Sequence, residues 1–369
     1  MRLVWAGLTA MLALRSFGAA VPPVHTVFII LMENHNWSEI KGSSSAPYIN
    51  NTVLPIASYC SQYYNPPGLH PSEPNYLWLE AGTNFGVLND LNPSVNHQNS
   101  TNHLVTLLNK AGVSWKTYQE DISGAYVPLT STNGYAPKHN PFVFFNDVTA
   151  TNNPNCAYGI AHIRPYSELA RDLTNGTVAR YNFITPNLCH DMHDTCAPVS
   201  DSIRQGDTWL ANEVPKILAS PAYQAGGALF ITWDESESGD GPIGMILLSP
   251  LAKGGGYCST NHYTHSSTLR TLQEIFGVTP LLGDAANASN LADLFQPAGL
   301  NSMERLSDGC FRLAATGLTP GTTNIVEASP DFVHWTALAT NCTSSNSFTF
   351  TDIASTNYRA RFYRVVQRP

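Results

Sequence analysis

The amino-acid sequence predicts an α/β fold with a doubly wound, mostly parallel sheet, followed by a small β-sandwich-like module. The first observation is Val24 to Met32, a nearly continuous apolar run typical of a strand buried on both faces. The second is the alternation of such runs with segments of helical periodicity up to about Pro297, which favours a parallel sheet. The third is a change at Cys310 to Thr- and Ser-rich segments, which predicts a separate module.

The first twenty residues have the layout of a secretory signal peptide. Met1-Arg2 is a short basic start, Leu3 to Leu14 is apolar, and Gly18-Ala19-Ala20 supplies the small residues of a cleavage site. The apolar part is too short to span a bilayer. We therefore predict a protein without a transmembrane segment that is secreted to the periplasm or the medium, with a buried first helix as the alternative.

The α/β domain is predicted over residues 24–297, with strands and helices that alternate along the chain. A linker over residues 298–309 then leads to the β-rich module of residues 310–369. Contact with a glycan or a surface and a passive folding role are both open for this module. After the first strand we predict strands at Val113 to Tyr118, Val178 to Ile184, Ala228 to Trp233 and Gly244 to Leu248, and helices at Asn102 to Ala111, Tyr166 to Leu173, Asp201 to Ala219 and Ser267 to Phe276.

The composition predicts a folded protein and argues against one class of partner. Hydrophobic residues make up 43% of the chain and charged residues 12%, which is enough apolar material for a large core. The formal net charge of -8 argues against nucleic acid as the main partner, because phosphate backbones recruit basic surfaces. A phosphate substrate remains compatible with this charge, since a metal ion can supply the local positive charge.

Seven cysteines fit an oxidising compartment. Cys189 and Cys196 bracket six residues and can close a small loop, and Cys310 and Cys342 can pair within the C-terminal part. Of the other three cysteines, Cys60, Cys156 and Cys258, at most two can pair with each other and one must stay a free thiol. The sequence alone therefore does not assign the disulfides. The sequence contains no Cys-x-x-Cys spacing, and a structural zinc site is therefore unsupported.

Two acidic pairs follow predicted buried strands directly. Glu33-Asn34 ends the first strand, and Asp234-Glu235 ends the strand Ala228 to Trp233. Ligands of open parallel sheets bind beyond the carboxyl ends of the strands, so both pairs are expected at one edge. Three carboxylates there would resist ionisation unless a cation neutralised them. Their oxygen ligands suit Mg²⁺, Mn²⁺ or Ca²⁺ better than a soft metal, and Zn²⁺ stays open.

Ser72 is the candidate nucleophile. It lies in His70-Pro71-Ser72-Glu73-Pro74, just before a predicted helix that extends to Ala81. A serine at a helix N-terminus lies beside free amide donors, which can cradle a phosphate. A metal bound to its hydroxyl would make it an attacking alkoxide. Plain helix capping by Ser72 is the alternative.

Histidines form the remaining candidate group. Two of them, with two aspartates, crowd into the segment between Cys189 and Cys196, and others precede the last core helix or follow a lysine. They are suited to contact phosphate, to protonate a leaving alcohol or to hold a second metal, in that order of preference. The residues are His139, His190, Asp191, His193, Asp194, His262 and His265.

Several of these motifs together resemble the phosphoesterase family, which contains bacterial acid phosphatases and non-haemolytic phospholipases C. The resemblance covers roughly Val24 to Gly277. The chain departs from the family pattern over His35 to Glu39 and is shorter than typical phospholipase members. The motifs are Glu33-Asn34, His70-Pro71-Ser72-x-Pro-Asn, Lys138-His139-x-Pro-Phe, Pro186-Asn187 with Asp191-Met192-His193-Asp194, Trp233-Asp234-Glu235, and His265 ahead of Leu269-Arg270-Thr271.

The resemblance implies a fold similar to that of alkaline phosphatase, with one metal at the strand ends. It implies metal ligands at Glu33, Asn34, Ser72, Asp234 and Glu235, with Ser72 as the nucleophile. It also implies catalytic roles for His139, His190, His193 and His265, and phosphate contacts from His139, Asp191 and His265.

We therefore expect a secreted, metal-dependent phosphoesterase that cleaves phosphate monoesters through a phosphoserine intermediate. Phospholipase C activity, or another phosphodiesterase activity on a phospholipid headgroup, is the first alternative. A non-catalytic exported binding protein is the second, and it is disfavoured because every expected ligand is present.

Overall fold

The computed structural model describes residues 21–296, 299–318, 321–342, 345, 347–358 and 361–368. The predicted signal peptide, residues 1–20, lies outside these ranges. Within them, no helix is both long and apolar enough to cross a membrane.

The α/β domain is built on one large sheet, as predicted. The sheet order is β5-β4-β6-β1-β7-β8-β2-β9, and β3 pairs with β10 in a separate two-stranded ribbon. The strands are β1 (Val27–Met32), β2 (Ser58–Cys60), β3 (Tyr63–Tyr64), β4 (Trp115–Gln119), β5 (Ile163–Pro165), β6 (Tyr181–Thr185), β7 (Ala228–Trp233), β8 (Met245–Leu248), β9 (Tyr257–Ser259) and β10 (Tyr263–Thr264).

Strands β5, β4, β6, β1 and β7 run parallel, whereas β8 is antiparallel to both of its neighbours. This confirms the mostly parallel α/β class. All five predicted strands are present in the sheet. The three that sequence periodicity missed, β2, β5 and β9, have three residues each, which is too short for a period to be recognised.

Helices lie between most of the strands. The longest, α8, presents Trp209, Leu210 and Val214 to the core at helical spacing. The helices are α1 (Trp37–Ile40), α2 (Ser72–Ala81), α3 (Pro93–Asn96), α4 (Leu104–Lys110), α5 (Asn146–Thr149), α6 (Ala157–His162), α7 (Leu169–Asn175), α8 (Ser202–Leu218), α9 (Pro221–Gln224) and α10 (His265–Phe276).

The centre of the core is formed by β1 and β7, which are neighbours in the sheet. Every side chain of both strands is buried. Their register pairs Val27 with Ala228 and Met32 with Trp233, so the two strands end side by side. The residues that follow them, Glu33 and Asp234, are thereby brought to the same edge of the sheet.

The C-terminal part forms two three-stranded antiparallel sheets, in the orders β11-β12-β15 and β14-β13-β16. Leu313 and Ala315 of the first sheet and Val326 and Ala328 of the second are buried, as expected of a β-rich module. The strands are β11 (Gly299–Arg305), β12 (Phe311–Thr316), β13 (Thr323–Ser329), β14 (Thr336–Cys342), β15 (Phe348–Asp352) and β16 (Phe362–Arg368).

Two expectations for this region need correction. Most of the predicted linker is strand β11, because Gly299–Arg305 pairs in antiparallel register with β12. Cys310 and Cys342 do not pair; both are free thiols, Cys310 before β12 in one sheet and Cys342 at the end of β14 in the other. Cys189 and Cys196 do form the predicted disulfide.

Candidate active site

Five predicted ligands, Glu33, Asn34, Ser72, Asp234 and Glu235, come together at the end of β1 and β7; we call them the carboxylate centre. The strand pairing continues past the strands, since the Asp234 backbone N–H donates to Met32 O at 3.0 Å. The Asn34 backbone N–H donates to Asp234 Oδ1 at 3.0 Å. Asn34 adopts a left-handed backbone conformation with φ of 37°, one that asparagine tolerates better than most residues.

Ser72 lies in the middle of this group. It is the first residue of α2 and is buried. Its Oγ donates a hydrogen bond to Glu33 Oε2 at 3.0 Å. Ser72 also lowers the pKa of both Asp234 and Glu235 against the larger effect of burial. Beside it, the Glu73 backbone N–H donates to Asp90 Oδ1 at 3.0 Å, which occupies one free amide of the helix terminus.

Burial and mutual repulsion disfavour the charged forms of these acids. Burial, then Asp234 and Asp191, raise the pKa of Glu33 well above its usual value. Burial and the neighbouring Glu235 raise the pKa of Asp234 to about 8. Burial and the charge of Asp90 raise the pKa of Glu235 to about 7. A divalent cation among them would reverse these shifts, because it stabilises the ionised form of each ligand.

The donor set fits such a cation. The Asn34 side-chain amide lies 2.9 Å from Glu33 Oε2 and 3.1 Å from Asp234 Oδ1. If the amide nitrogen of Asn34 faces the two carboxylates, it donates a hydrogen bond to each. If the amide oxygen faces them instead, three oxygen atoms, one each from Asn34, Glu33 and Asp234, lie together as the ligands of a hard cation do. In addition, Asp234 Oδ2 is buried without a hydrogen-bond partner. The residues at this edge therefore suit an oxygen-coordinated divalent ion.

His139 lies at the back of the carboxylate centre. Its Nε2 lies 3.2 Å from Glu33 Oε2, and its Nδ1 lies 3.3 Å from Asp191 Oδ2. Its ring stacks on Tyr76 with 5.3 Å between centroids. Burial, Lys138 and His193 lower the pKa of His139 well below its usual value, so it is a neutral group among acids.

The segment of residues 187–196, closed by the Cys189–Cys196 disulfide, forms the second part of the site; we call it the disulfide loop. Asp191 is fully buried, and its carbonyl accepts from the Glu33 backbone N–H at 2.8 Å. His193 brings a ring nitrogen to within 4.8 Å of ligand atoms of Glu33 and His139. Its Nδ1 pairs with Asp194 Oδ1 at 2.7 Å, which orients the ring.

A glycine in α8 lets this loop approach the helix. A Cβ on Gly206 would lie 2.3 Å from Met192 Cγ, so a larger residue there would push Met192 away. Met192 itself has a φ of 83°, a strained backbone conformation for a side chain of this size. The tight packing therefore fixes the residues on either side of Met192.

His190 is placed differently from its neighbours. Its Nδ1 pairs with Glu120 Oε2 at 2.8 Å, and this hydrogen bond raises its pKa. It lines a cavity of about 530 Å³ together with Glu120, Trp209 and Glu213. The ring predicted as catalytic thus faces this cavity, whereas Asp191 and His193 face the carboxylate centre.

His265 also has a place that sequence reasoning did not anticipate. Its Nε2 donates to the backbone carbonyl of Asp234 at 2.6 Å, and its Nδ1 lies 3.1 Å from the Tyr63 hydroxyl. Burial lowers its pKa to about 4. Both ring nitrogens are therefore occupied by the protein, and the neutral ring fixes the main chain at Asp234.

Three residues near the centre, Tyr76, His70 and Lys138, were not predicted as functional. The Tyr76 hydroxyl donates to Glu33 Oε1, and the His70 ring pairs with Glu235 Oε2. Lys138 pairs with Asp90 at 3.1 Å, and its charge lowers the pKa of Glu33 and Glu235 against the effect of burial. Tyr76, His70 and Lys138 lie inside or beside the motifs that resemble the phosphoesterase family. Their position in those motifs is the feature of the sequence that could have indicated a role in the site.

The chain is similar in sequence to several known proteins. The sequence profile of the Phosphoesterase family matches residues 57–279. The chain is 31% identical over 292 residues to the phosphatidylinositol-3-phosphatase of Mycobacterium tuberculosis, across 79% of this chain and 89% of that protein. It is 30% identical over 234 residues to the phosphate-repressible acid phosphatase of Penicillium chrysogenum, across 60% of this chain and 53% of that protein.

More distant similarities are present as well. The non-hemolytic phospholipase C of Burkholderia pseudomallei is 23% identical, across 69% of this chain and 46% of that protein. The chain spans about half the length of the fungal acid phosphatases that it matches. A crystal structure of an alkaline phosphatase superfamily protein from Vibrio parahaemolyticus superimposes with a TM-score of 0.48 and 11% identity, covering 88% of this chain and 85% of that one.

Proposed function

The chain belongs to the phosphoesterase family, and on this premise we propose that it is a secreted, metal-dependent phosphomonoesterase with Ser72 as its nucleophile. It is a hydrolase of phosphoric ester bonds, as its named relatives are. One observation carries the finer assignment. A buried serine hydroxyl at a helix N-terminus donates to Glu33, which follows β1, and lowers the pKa of Asp234 and Glu235, which follow the adjacent strand β7.

The carboxylate centre would hold the cation. Glu33, Asn34, Ser72, Asp234 and Glu235 supply its ligands, and the bound ion would supply charge neutralisation and a lower pKa for the Ser72 hydroxyl. His265 and Tyr76 do not bind it but keep the ligands in position, His265 through the carbonyl of Asp234 and Tyr76 through Glu33 Oε1.

Ser72 is the nucleophile of the proposed reaction, and His193 is its general acid and base. Ser72, whose pKa the bound ion would lower, releases its proton to solvent and attacks phosphorus as the alkoxide; the bond from phosphorus to the alcohol oxygen breaks, and phosphoserine forms. His193, held by Asp194 and partly open to solvent, donates a proton to the departing alcohol oxygen. The same ring then takes a proton from the water that attacks phosphoserine, which releases hydrogen phosphate and regenerates the Ser72 alkoxide. His139 is a poor proton donor because its pKa is lowered, and it serves to pack Tyr76 and Asp191.

The preference for monoesters is supported by two features. The first is that the relatives of this chain include proteins named phosphatidylinositol-3-phosphatase and acid phosphatase. Lys138 lies close enough to Glu33 and Asp234 for mutual charge effects, so a cationic group is available for the second negative charge of a monoester.

Secretion is supported by the layout of residues 1–20 and by the Cys189–Cys196 disulfide, since disulfides persist in oxidising compartments. A direct check is the N-terminal sequence of the protein recovered from outside the cytoplasm, which should begin after residue 20.

A panel of three substrates tests the proposed reaction. An aryl monophosphate, a bis-aryl phosphate and phosphatidylcholine are each incubated with metal-depleted protein, and then again after Mg²⁺, Mn²⁺, Ca²⁺ or Zn²⁺ is added. We expect turnover of the monophosphate that exceeds both diesters and returns only with a divalent ion. Faster turnover of phosphatidylcholine would favour phospholipase C, and full activity after prolonged chelation would refute the metal requirement.

A further inference from the structure

Beside the carboxylate centre lies a second group of ligand-type side chains, formed by His35, Glu39 and Glu237. His35 Nδ1 lies 3.7 Å from Glu39 Oε2 and 3.5 Å from Glu237 Oε2. His35 and Glu39 follow β1, and Glu237 follows β7, three residues after Asp234. These residues take no part in the proposed reaction, and His35 and Glu39 fall in the segment where the chain departs from its family pattern.

The hydrogen bonds of His35 determine which ring nitrogen is free. Its Nε2 lies 3.2 Å from the Met192 carbonyl oxygen, which can only accept, so Nε2 carries the proton. In the neutral ring, Nδ1 then presents a lone pair. This atom is buried without a hydrogen-bond partner, in a side chain only 9% exposed, and it faces the two carboxylates.

A ring nitrogen that faces two carboxylate oxygens is stable there only if it carries a proton that bonds to them or if a cation lies between them. The distances are too long for hydrogen bonds. They are close to those expected around a zinc ion, because metal–ligand bonds of roughly 2.0–2.2 Å at tetrahedral angles place ligand atoms about 3.4 Å apart. A histidine whose other nitrogen donates to a backbone carbonyl is also the usual arrangement of a metal ligand.

The surroundings of the carboxylates suit the same ligand. Glu39 Oε2 accepts from the Asn36 backbone N–H at 2.8 Å, which holds this oxygen in place. The side chains of Glu39 and Glu237 are 41% and 57% exposed, so an ion in solution can reach them. One nitrogen and two oxygens form a borderline donor set that favours Zn²⁺ over Mg²⁺ or Ca²⁺.

We propose that His35, Glu39 and Glu237 form a second metal site, which takes Zn²⁺ and completes its coordination with water. The site would join the segment after β1 to the segment after β7, and His35 Nε2 would tie both to the disulfide loop through Met192. Its role is to hold the strand-end segments that carry Glu33-Asn34 and Asp234-Glu235, and it does not depend on the proposed reaction.

Zinc binding by the full chain tests this site. Asp234→Asn first weakens the carboxylate centre, and Zn²⁺ is then titrated calorimetrically into the metal-depleted protein at low ionic strength. We expect one equivalent of Zn²⁺ to bind and to raise the thermal midpoint. Adding Glu237→Gln should weaken this binding at least about tenfold, since even the outer partners of a metal ligand are worth that much. The matched control is Glu304→Gln, an exposed glutamate of the C-terminal module, which should leave binding unchanged.

Two results would overturn the proposal: no zinc bound by the folded Asp234→Asn protein, or equal affinity with and without Glu237→Gln. If Asp234→Asn does not fold, the same comparison is made between the wild type and Glu237→Gln, which should differ by one bound equivalent. Zinc binding by the Asp234→Asn protein is measured without turnover of any ester, so failure of the proposed reaction and failure of this site are distinguishable.

Discussion

The carboxylate centre and the disulfide loop meet at the same edge of the sheet, but their side chains are positioned by different means. In the centre, the register of β1 against β7 places Glu33 beside Asp234, and buried strands on both sides prevent any other arrangement. In the disulfide loop, no helical or strand repeat determines where each side chain points, and neighbouring side chains point in different directions. Asp191 lies against His139, while His190 turns to Glu120.

This difference predicts how mutations should divide between the two regions. Residues of the carboxylate centre act on the same reacting group, so substitutions there should reduce turnover by large and similar factors. Residues of the loop should show graded effects that follow the direction of each side chain. The following experiments test that division, from the largest expected effect to the smallest.

Replacing the nucleophile should have the largest effect. Ser72→Ala removes the attacking oxygen and a ligand of the metal, and we expect turnover of an aryl monophosphate to fall roughly 10³- to 10⁶-fold. Ser72→Thr is the matched control, because it keeps a hydroxyl at the N-terminus of α2 and should retain more activity than Ser72→Ala. Wild-type rates in Ser72→Ala would remove Ser72 from the reaction.

Removing the proposed acid should have an effect that depends on the leaving group. His193→Gln should slow the release of an alkyl alcohol by roughly 10²-fold, because such an alcohol needs a proton to depart. A nitrophenyl ester, whose leaving group is stable as an anion, should be slowed much less in the same pre-steady-state release step, which precedes the hydrolysis of phosphoserine by the same ring. An equal loss on both substrates would show that His193 does not act as the acid.

The stability of the metal-free protein should fall as pH rises. Asp234 and Glu235 have pKa values raised to about 8 and about 7 in the folded state, against ordinary values near 4 in an unfolded chain. A group whose pKa is raised by folding stabilises the fold below its unfolded pKa, and this contribution is lost as pH rises through its folded pKa. We therefore expect the thermal midpoint to decline between about pH 4 and pH 8.

Two comparisons check the cause of this decline. Asp234→Asn should make it shallower, although Glu33 and Asp191 should keep part of it because their pKa values are raised in the same direction. A saturating divalent ion should remove most of it, since the ion stabilises the ionised carboxylates. A midpoint that rises with pH, or an unchanged slope in Asp234→Asn, would contradict the electrostatic account of the centre.

The smallest effect on turnover is expected from His190, which faces away from the carboxylate centre. His190→Gln breaks the pair with Glu120 at the wall of the cavity, and we expect less than about a threefold change in turnover of a small aryl phosphate. Substrates with a large alcohol group should be more sensitive if the cavity receives them. A loss as large as that of His193→Gln on both substrate sizes would mean that His190 does reach the reacting phosphate.

The difference between side chains placed by strand register and side chains placed by loop conformation explains how much could be predicted from the sequence. The parallel sheet, its five recognised strands and the meeting of Glu33 with Asp234 follow from apolar runs, because strands of one direction end at one edge. The side-chain directions of His190 and His265 do not follow, since both depend on loop conformation and on contacts with Glu120 and Tyr63, which are distant in the sequence. The assignment of Gly299–Arg305 to a linker failed because its pairing with β12 is visible only in the folded chain.

The central claim is that Ser72 carries the phosphoryl group during turnover. Its most direct test is a rapid acid quench during hydrolysis of a monoester in the presence of the activating metal, followed by proteolysis and mass spectrometry of the peptide that contains Ser72. We predict a phosphate on Ser72 in the wild type and none in Ser72→Ala. A phosphate found on a histidine after a parallel alkaline quench, which preserves this acid-labile linkage, or burst kinetics without any labelled Ser72, would contradict the account.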